Sequence, residues 1–490
     1  MSLSLSDENL CFLSATEQAR LIRNGQLRSR DLLEAFHARS QATRDSLNAV
    51  IQEDIEHARQ RADQLDELAA RNHFVGPLHG LPVTIKDTLS VVGMPTTAGN
   101  LALADYRPTQ NASAVQQLVD DGVVIYGKTN VPDMAADWQS WNAVYGTTNN
   151  PWDGSRTPGG SSGGAAAAVS AGLTAFELGS DLGGSIRVPA HFCGVYGHKP
   201  THGIISLHGH IPGEPGQLAL TDIASLGPLA RSAEDLALVL RSTVDRQPGA
   251  RGEPAYTLRP ETRQRLQDFK VAAWLDDAYS PVSQGIAQVL QQCAAALKDA
   301  GVALNAEARP GFSLEEAGDV YMRLLMGIHS GGVDEAGFAA LPSHHLGEAE
   351  RAGSIAEGFS RYLGLSHRNW LKANERREQM RQGWRELFSQ YDVLLAPVSI
   401  TTAFAHDHSE PQYQRKLPID GQSRDYMSQI LWCGALAGAG LLPSTVAPVG
   451  FTEEGLPVGI QIIGAPGSDL TTIQFAGLLS GLLGGYRQPR

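Results

Sequence analysis

The sequence is poor in the features that would settle its class at a glance. It has only four cysteines, Cys11, Cys193, Cys293 and Cys433. They are widely scattered and show no CxxC or other metal-ligand spacing, so they read as buried small hydrophobes in a reducing compartment rather than a disulfide or zinc framework. No cluster of Lys and Arg relieves a formal net charge of −13, which speaks against a free-standing nucleic-acid binder. Long apolar runs are missing as well. The longest, ILWCGALAGAGLL at 430–442, is interrupted by glycines and stops at Pro443, short of the roughly 20 residues that cross a bilayer. The first residues, MSLSLSDENLCFLS, lack the basic start and apolar core of a secretory signal, so a cytoplasmic location is expected. Repeats, heptads and low-complexity tails are absent too.

What is present is a long, ordinary globular chain. Its 490 residues exceed the usual single core of about 250–300, which implies two domains or one large α/β domain. Ser14 or Thr16 can cap a helix through LIRNG, Ser29 can cap RDLLEAFHARSQAT, and residues 13–70 as a whole read as helical. A βα rhythm follows, with LPVTIKD as a strand, AVQQLVDDG as a helix closed by Gly122 and VVIYGKT as a buried strand. AAAAVSAG is a helix of small residues and TAFELGS a further strand. After a polar connection around 243–265 come a strand (VAAWLDD), an amphipathic helix (SQGIAQVLQQCAAALKDAG) and a helical stretch to about 390. YDVLLAPVS and GLPVGIQIIGAP close the chain as strands. Such alternation implies a sheet with helices on its faces.

Several motifs carry chemistry on paper. GVVIYGKT, from Gly122 to Thr129, satisfies the phosphate-loop pattern, but its middle residues are themselves a strand, so no flexible cradle exists there. GGSSG, from Gly159 to Gly163, satisfies the nucleophile-elbow pattern. No strand precedes it, which argues against Ser161 as an elbow nucleophile; standing alone, the stretch would read as a flexible glycine-serine loop. In SDLGGSIRVP a strand runs into two glycines and a serine. The amides of Leu182, Gly183, Gly184 and Ser185 can converge on one point there, as an oxyanion requires, and Ser185 is placed like a nucleophile. A serine hydroxyl needs a base. His191 and His198 lie nearby, but Lys86, at the end of the apolar strand GLPVTIKD, is preferred because desolvation would leave it a neutral amine. The plain alternative pairs Lys86 with its neighbour Asp87. The short histidine clusters, at His208 and His210, His344 and His345, and His406 and His408, lack metal-site spacing and read as loop residues.

In order and spacing, GPLHGLPVTIKD, GVVIYGKTNVPD, NNPWDGSRTPGGSSGGAAAAVSAG, GSDLGGSIRVPAHFCGVYGHKPT and GLPVGIQIIG together resemble the amidase signature family of serine hydrolases, over about residues 10–480. The resemblance implies an α/β amidase signature fold, a large twisted mixed β-sheet covered on both faces by α-helices. It implies one amidase domain over 1–490, with the catalytic core in 1–245, a largely helical lid side in 246–390 and a closing part of the sheet in 391–490. It further implies a triad of Lys86 as base, Ser161 as a relay serine with a cis peptide, and Ser185 as nucleophile. Ser162 would support the triad's hydrogen bonds, and Asp181 and Arg187 would pair to hold the nucleophile's turn.

In related amidases the segment after KTN lines the acyl pocket. Here it is DMAADWQSWNAVYG, so small Ala135 and Ala136 and bulky Trp138 and Trp141 are the candidate substrate contacts, suited to a neutral aryl or alkyl amide, ester or carbamate. The plain reading leaves both tryptophans in the core. The family also contains the A subunit of glutamyl-tRNA amidotransferase. The same segment departs from that protein's usual pattern, which points to a stand-alone hydrolase; the amidotransferase role and a catalytically silent binding protein remain the alternatives. The expected partner is a small-molecule amide, with no nucleic acid, membrane, metal or cofactor, and with a homodimer left open.

Overall fold

The computed structural model describes residues 7–211, 219–245, 255–341 and 352–489. Eight strands form the main sheet. From one edge they run Ala303–Asn305, Lys270–Ala273, Val393–Pro397, Pro457–Gly464, Ser444–Phe451, Tyr196–Lys199, Ser225–Ala230 and Glu177–Asp181. The first three are mutually parallel and every later pairing is antiparallel, so the sheet is mixed. The central strands Val393–Pro397 and Pro457–Gly464 are buried along their whole length and therefore carry nearly continuous apolar residues, VLLAP and PVGIQIIG, the latter broken only by Gln461, rather than alternation. With the helices packed on it, this is the mixed α/β architecture that the residue pattern implies.

A second, three-stranded sheet places Val124–Thr129 between Val50–Glu53, antiparallel to it, and Pro82–Lys86, parallel to it. Val50–Glu53 lies inside the stretch read as helical; four residues between two helices carry too short a pattern to reveal a strand. Around it the helices Ala15–Arg23, Ser29–Leu47 and Ile55–Ala70 form as expected. Ser14 caps the first, its hydroxyl accepting from the Glu17 amide at 3.1 Å. Ser29 does not cap the second. It is buried within the first turn and donates its hydroxyl to the Gly80 carbonyl at 2.7 Å, while its amide donates to Asp66.

GVVIYGKT is strand from Val124 to Thr129, and its Lys128 is fully buried in an ion pair with Asp87 at 2.9 Å. That pairing also removes Asp87 as a partner for Lys86. The four cysteines are free and buried. ILWCGALAGAGLL is a buried helical turn, Leu431–Gly438, and among the described residues no helix is long and apolar enough to cross a membrane. His344 and His345 lie outside the described residues.

Both sheets end at one place. Pro82–Lys86 ends on Lys86, and Glu177–Asp181 ends beside the glycine turn that leads into the helix Arg187–Cys193. The small-residue helix Gly163–Ser170 is buried on every side, which brings the serines at its start between them.

Candidate active site

Lys86 is fully buried, and its Nζ donates at 2.8 Å to each of three hydroxyls, Ser161, Ser162 and Ser180. Burial pulls its pKa down to about 7, against the weaker opposing pull of Asp181 and Glu177. A lysine in this setting is half neutral near neutrality, so it can accept a proton, which an exposed lysine cannot do there. Ser162 donates its own hydroxyl to the Ser180 carbonyl at 3.3 Å, tying the cluster to the strand end. The Gly160–Ser161 peptide bond is cis.

The glycines around Ser161 serve close approach. A side-chain carbon on Gly160 would lie 2.4 Å from the Asp137 carbonyl oxygen, and one on Gly164 would lie 2.4 Å from the Asn130 nitrogen. The stretch is therefore a tight crossing of backbones rather than a flexible linker.

Ser185 follows a turn whose geometry is held from outside. The Leu182 carbonyl accepts from the Tyr321 hydroxyl at 2.9 Å, and the Gly183 carbonyl accepts from the Trp138 indole at 3.1 Å. In a planar trans peptide the following N–H points away from the carbonyl. The Tyr321 contact thus turns the Gly183 amide in the opposite direction, and the Trp138 contact does the same for the Gly184 amide. The latter meets Asp181 Oδ1 at 2.9 Å. This refines the expectation of four oxyanion donors: the Gly184 amide is taken by a carboxylate, which leaves Leu182, Gly183 and Ser185. Gly184 itself has φ +100°, a conformation open to glycine.

Asp181 also accepts two parallel hydrogen bonds from Arg187, at 2.9 Å and 2.8 Å, and both residues are fully buried. Burial would raise the Asp181 pKa, but the Arg187 charge and these bonds prevail and hold it at about 2. Arg187 donates further to the Cys433 carbonyl at 2.9 Å. The pair locks the turn to the helical segment Leu431–Gly438.

Ser185 is joined to the cluster through its backbone, its carbonyl accepting from the Ser162 amide at 3.1 Å, and through a shared cavity. That cavity, of about 550 Å³, is lined by Ser161, Ser180, Ser185, Leu182 and Gly183 at its floor and by Ala135, Ala136 and Trp138 on one side. Trp141 is not among the lining residues. It sits on a short two-stranded turn, where its ring stacks on His408 with centroids 4.7 Å apart. The opposite wall comes from residues for which the sequence offers little signal, including Leu325, Ile328, Phe359 and Ile430. The only mark of Leu325 and Ile328 is an uncharged run, LLMGI, within the helix Leu314–Ser330.

Ser180 and His210 were also missed. Ser180 could have been suspected as a hydroxyl in an otherwise buried strand, and His210 belongs to a histidine pair that reads as loop. The histidines weighed as bases are committed elsewhere: His191 Nδ1 accepts from the Gly459 amide at 2.7 Å, and His198 bonds Thr445 at 2.9 Å and Asp469 at 3.2 Å. Among the described residues no group of three or more His, Cys, Asp or Glu is arranged to hold a metal ion.

Comparison with known proteins gives the chain's family and corrects one expectation. A family model described as Amidase matches residues 31–473. A curated relative, the A subunit of glutamyl-tRNA(Gln) amidotransferase from Gloeobacter violaceus, is 30% identical and aligns over 90% of this chain and 92% of its own length. A solved structure titled "Crystal structure of amidase" is 29% identical with a TM-score of 0.78, covering 96% of this chain and 100% of that one. "Fatty acid amide hydrolase" shares the fold at a TM-score of 0.81 and 23% identity, covering 98% of this chain and 87% of that one. The expectation of a small-molecule partner alone, with no nucleic acid, is overturned by the curated relative, which is named as one component of an enzyme of glutamyl-tRNA. Net charge is a whole-surface quantity and does not report on what a multi-chain assembly binds.

Proposed function

The chain belongs to the amidase family and is an amidase-type enzyme acting on carbon–nitrogen bonds, and from that premise we propose that it opens an amide through an acyl-enzyme on Ser185. Neutral Lys86 takes a proton by way of Ser161 from the Ser185 hydroxyl, which attacks the amide carbonyl. The amides of Leu182, Gly183 and Ser185 receive the oxyanion. The relay returns the proton to the leaving nitrogen, and water then hydrolyses the acyl-enzyme. The observation that carries this reading is the buried amine of Lys86, 2.8 Å from Ser161 and with its pKa drawn down to about 7.

For the substrate, the curated relative supports the amidotransferase reading over a small-substrate hydrolase: an amide-opening component of an enzyme that serves glutamyl-tRNA(Gln). One observation favours a second reading of the acyl group. The cavity is walled by Met134, Leu325, Ile328, Val333, Phe359 and Ile430, and among the described residues no lysine or arginine lines it. The carboxylate of an amino-acid amide would therefore lack a cation, while a neutral apolar acyl chain would be accommodated.

A hydrolysis panel of glutamine, aliphatic amides, anilides, carbamates and esters, with ammonia or amine release measured for wild type and Ser185→Ala, tests both levels. Release from glutamine supports the amidotransferase reading and release from neutral amides supports the second. Near-normal amide turnover by Ser185→Ala, or failure of a fluorophosphonate to label Ser185, overturns the acyl-enzyme.

A further inference from the structure

Among the residues lining the cavity, His210 stands apart. Its Nε2 is buried without a hydrogen-bond partner. Buried polar atoms are nearly always paired, so an orphan in a cavity wall calls for a ligand.

The loop holding His210 is not slack. Ser90 donates its amide to the Gly209 carbonyl at 2.9 Å, Ile211 donates to the Thr88 carbonyl at 2.7 Å, and His210 bridges Leu89 in antiparallel fashion. All three partners directly follow Lys86 and Asp87 in the chain. Gly209, at φ +82°, presses so close to the neighbouring segment that a side-chain carbon would lie 2.6 Å from Ala112 Cα. Ile211 adopts φ 52°, a region that branched residues avoid. The HGH sequence is thus a positioned loop, stitched to the lysine strand. Burial and, secondarily, the neighbouring Lys86 charge pull the imidazole's pKa down to about 3, so near neutrality it is uncharged, with one nitrogen free to accept a hydrogen bond.

An amide presents two polar groups at its reacting end. The carbonyl is served by the amides of Leu182, Gly183 and Ser185; the N–H still lacks an acceptor. We propose that His210 is that acceptor, a specificity-determining residue that takes a hydrogen bond from the N–H on the leaving side of the substrate and so favours amides over esters. This deepens the reading in which Ser185 opens an amide, and rests on it.

The test compares the best amide from the panel with the ester of the same acid, as a ratio of kcat/KM values in wild type, His210→Phe and His210→Asn. The ratio is read within one preparation, so incomplete folding of a variant cancels. His210→Phe keeps a flat ring and removes both nitrogens, and the amide-to-ester ratio is expected to fall about tenfold or more. His210→Asn, which retains a side-chain acceptor, is expected to keep more of it. A ratio unchanged in His210→Phe, or lowered as far by Asn as by Phe, overturns the assignment while leaving the acyl-enzyme reading intact. A wild type that splits no amide in the panel overturns that reading, and this inference with it.

Discussion

The floor and the far wall of the cavity are built on opposite principles. Below the floor lies a dense polar knot in which Lys86, Ser161, Ser162, Ser180, Asp181 and Arg187 are all buried and hydrogen-bonded. The wall contributed by Leu325, Ile328, Phe359 and Ile430 is apolar and makes contact through shape alone. Charge and hydrogen bonding are steep in distance and direction, so the floor tolerates almost no substitution; dispersion and hydrophobic contact are graded, so the wall can vary with the substrate. On the proposed mechanism the floor supplies the chemistry, and the apolar wall is where the fit to the acyl chain is set.

The contrast breaks most sharply at Lys86. Lys86→Met keeps an unbranched side chain one atom shorter and removes the base, and kcat on amides is expected to fall by about a thousandfold or more, as members of a triad fail together. For the intact lysine the sign follows from its lowered pKa. The amine must be neutral to accept a proton, so kcat/KM should rise about tenfold per pH unit below roughly 7 and level off above it. A profile that is flat or falls between pH 5 and 8 would count against this role.

Next in size is the buried ion pair. Asp181→Asn leaves Arg187 as an uncompensated interior cation and frees the Gly184 amide from its carboxylate. Urea unfolding should show a loss of about 3–5 kcal/mol. A variant as stable as wild type would mean that the turn does not depend on the pair.

The wall should respond most mildly. Phe359→Ala is expected to shift the preference toward longer or bulkier acyl chains, with kcat/KM changes of about tenfold between substrates that differ by a few methylenes, and little change in the pH profile. Trp141→Ala serves as its control. Because that ring stacks on His408 outside the cavity, kcat/KM should stay within about twofold of wild type. A larger loss would return Trp141 to the substrate's surroundings.

The floor was largely legible in the sequence. Lys86 ends an apolar strand and Ser185 follows a strand and two glycines, local patterns that nominate a base and a nucleophile, whereas Ser161, which standing alone reads as part of a flexible loop, was nominated as the relay only by the family resemblance. The far wall was not, because Leu325 and Phe359 look like any helical core residues until the chain is folded. Trp141 failed for the reverse reason: an indole in the right segment pointed elsewhere once a two-residue strand turned it toward His408. Ser29 shows the same limit at a helix start, where a good capping residue was drawn to the Gly80 carbonyl instead.

By itself, the sequence determined many of the helices and strands and nominated Lys86 and Ser185 as base and nucleophile with glycine beside the serine, since each follows from periodicity, side-chain chemistry or steric allowance over a few residues. Only the tertiary structure decided which groups meet. It set Lys86 within 2.8 Å of a serine 75 residues away, assigned the Gly184 amide to Asp181, gave Asp87 to Lys128 and carried His210 to the cavity wall. Burial and proximity between distant segments are properties of the packed whole, and they are what convert an ordinary lysine into an amine that can accept a proton near neutral pH.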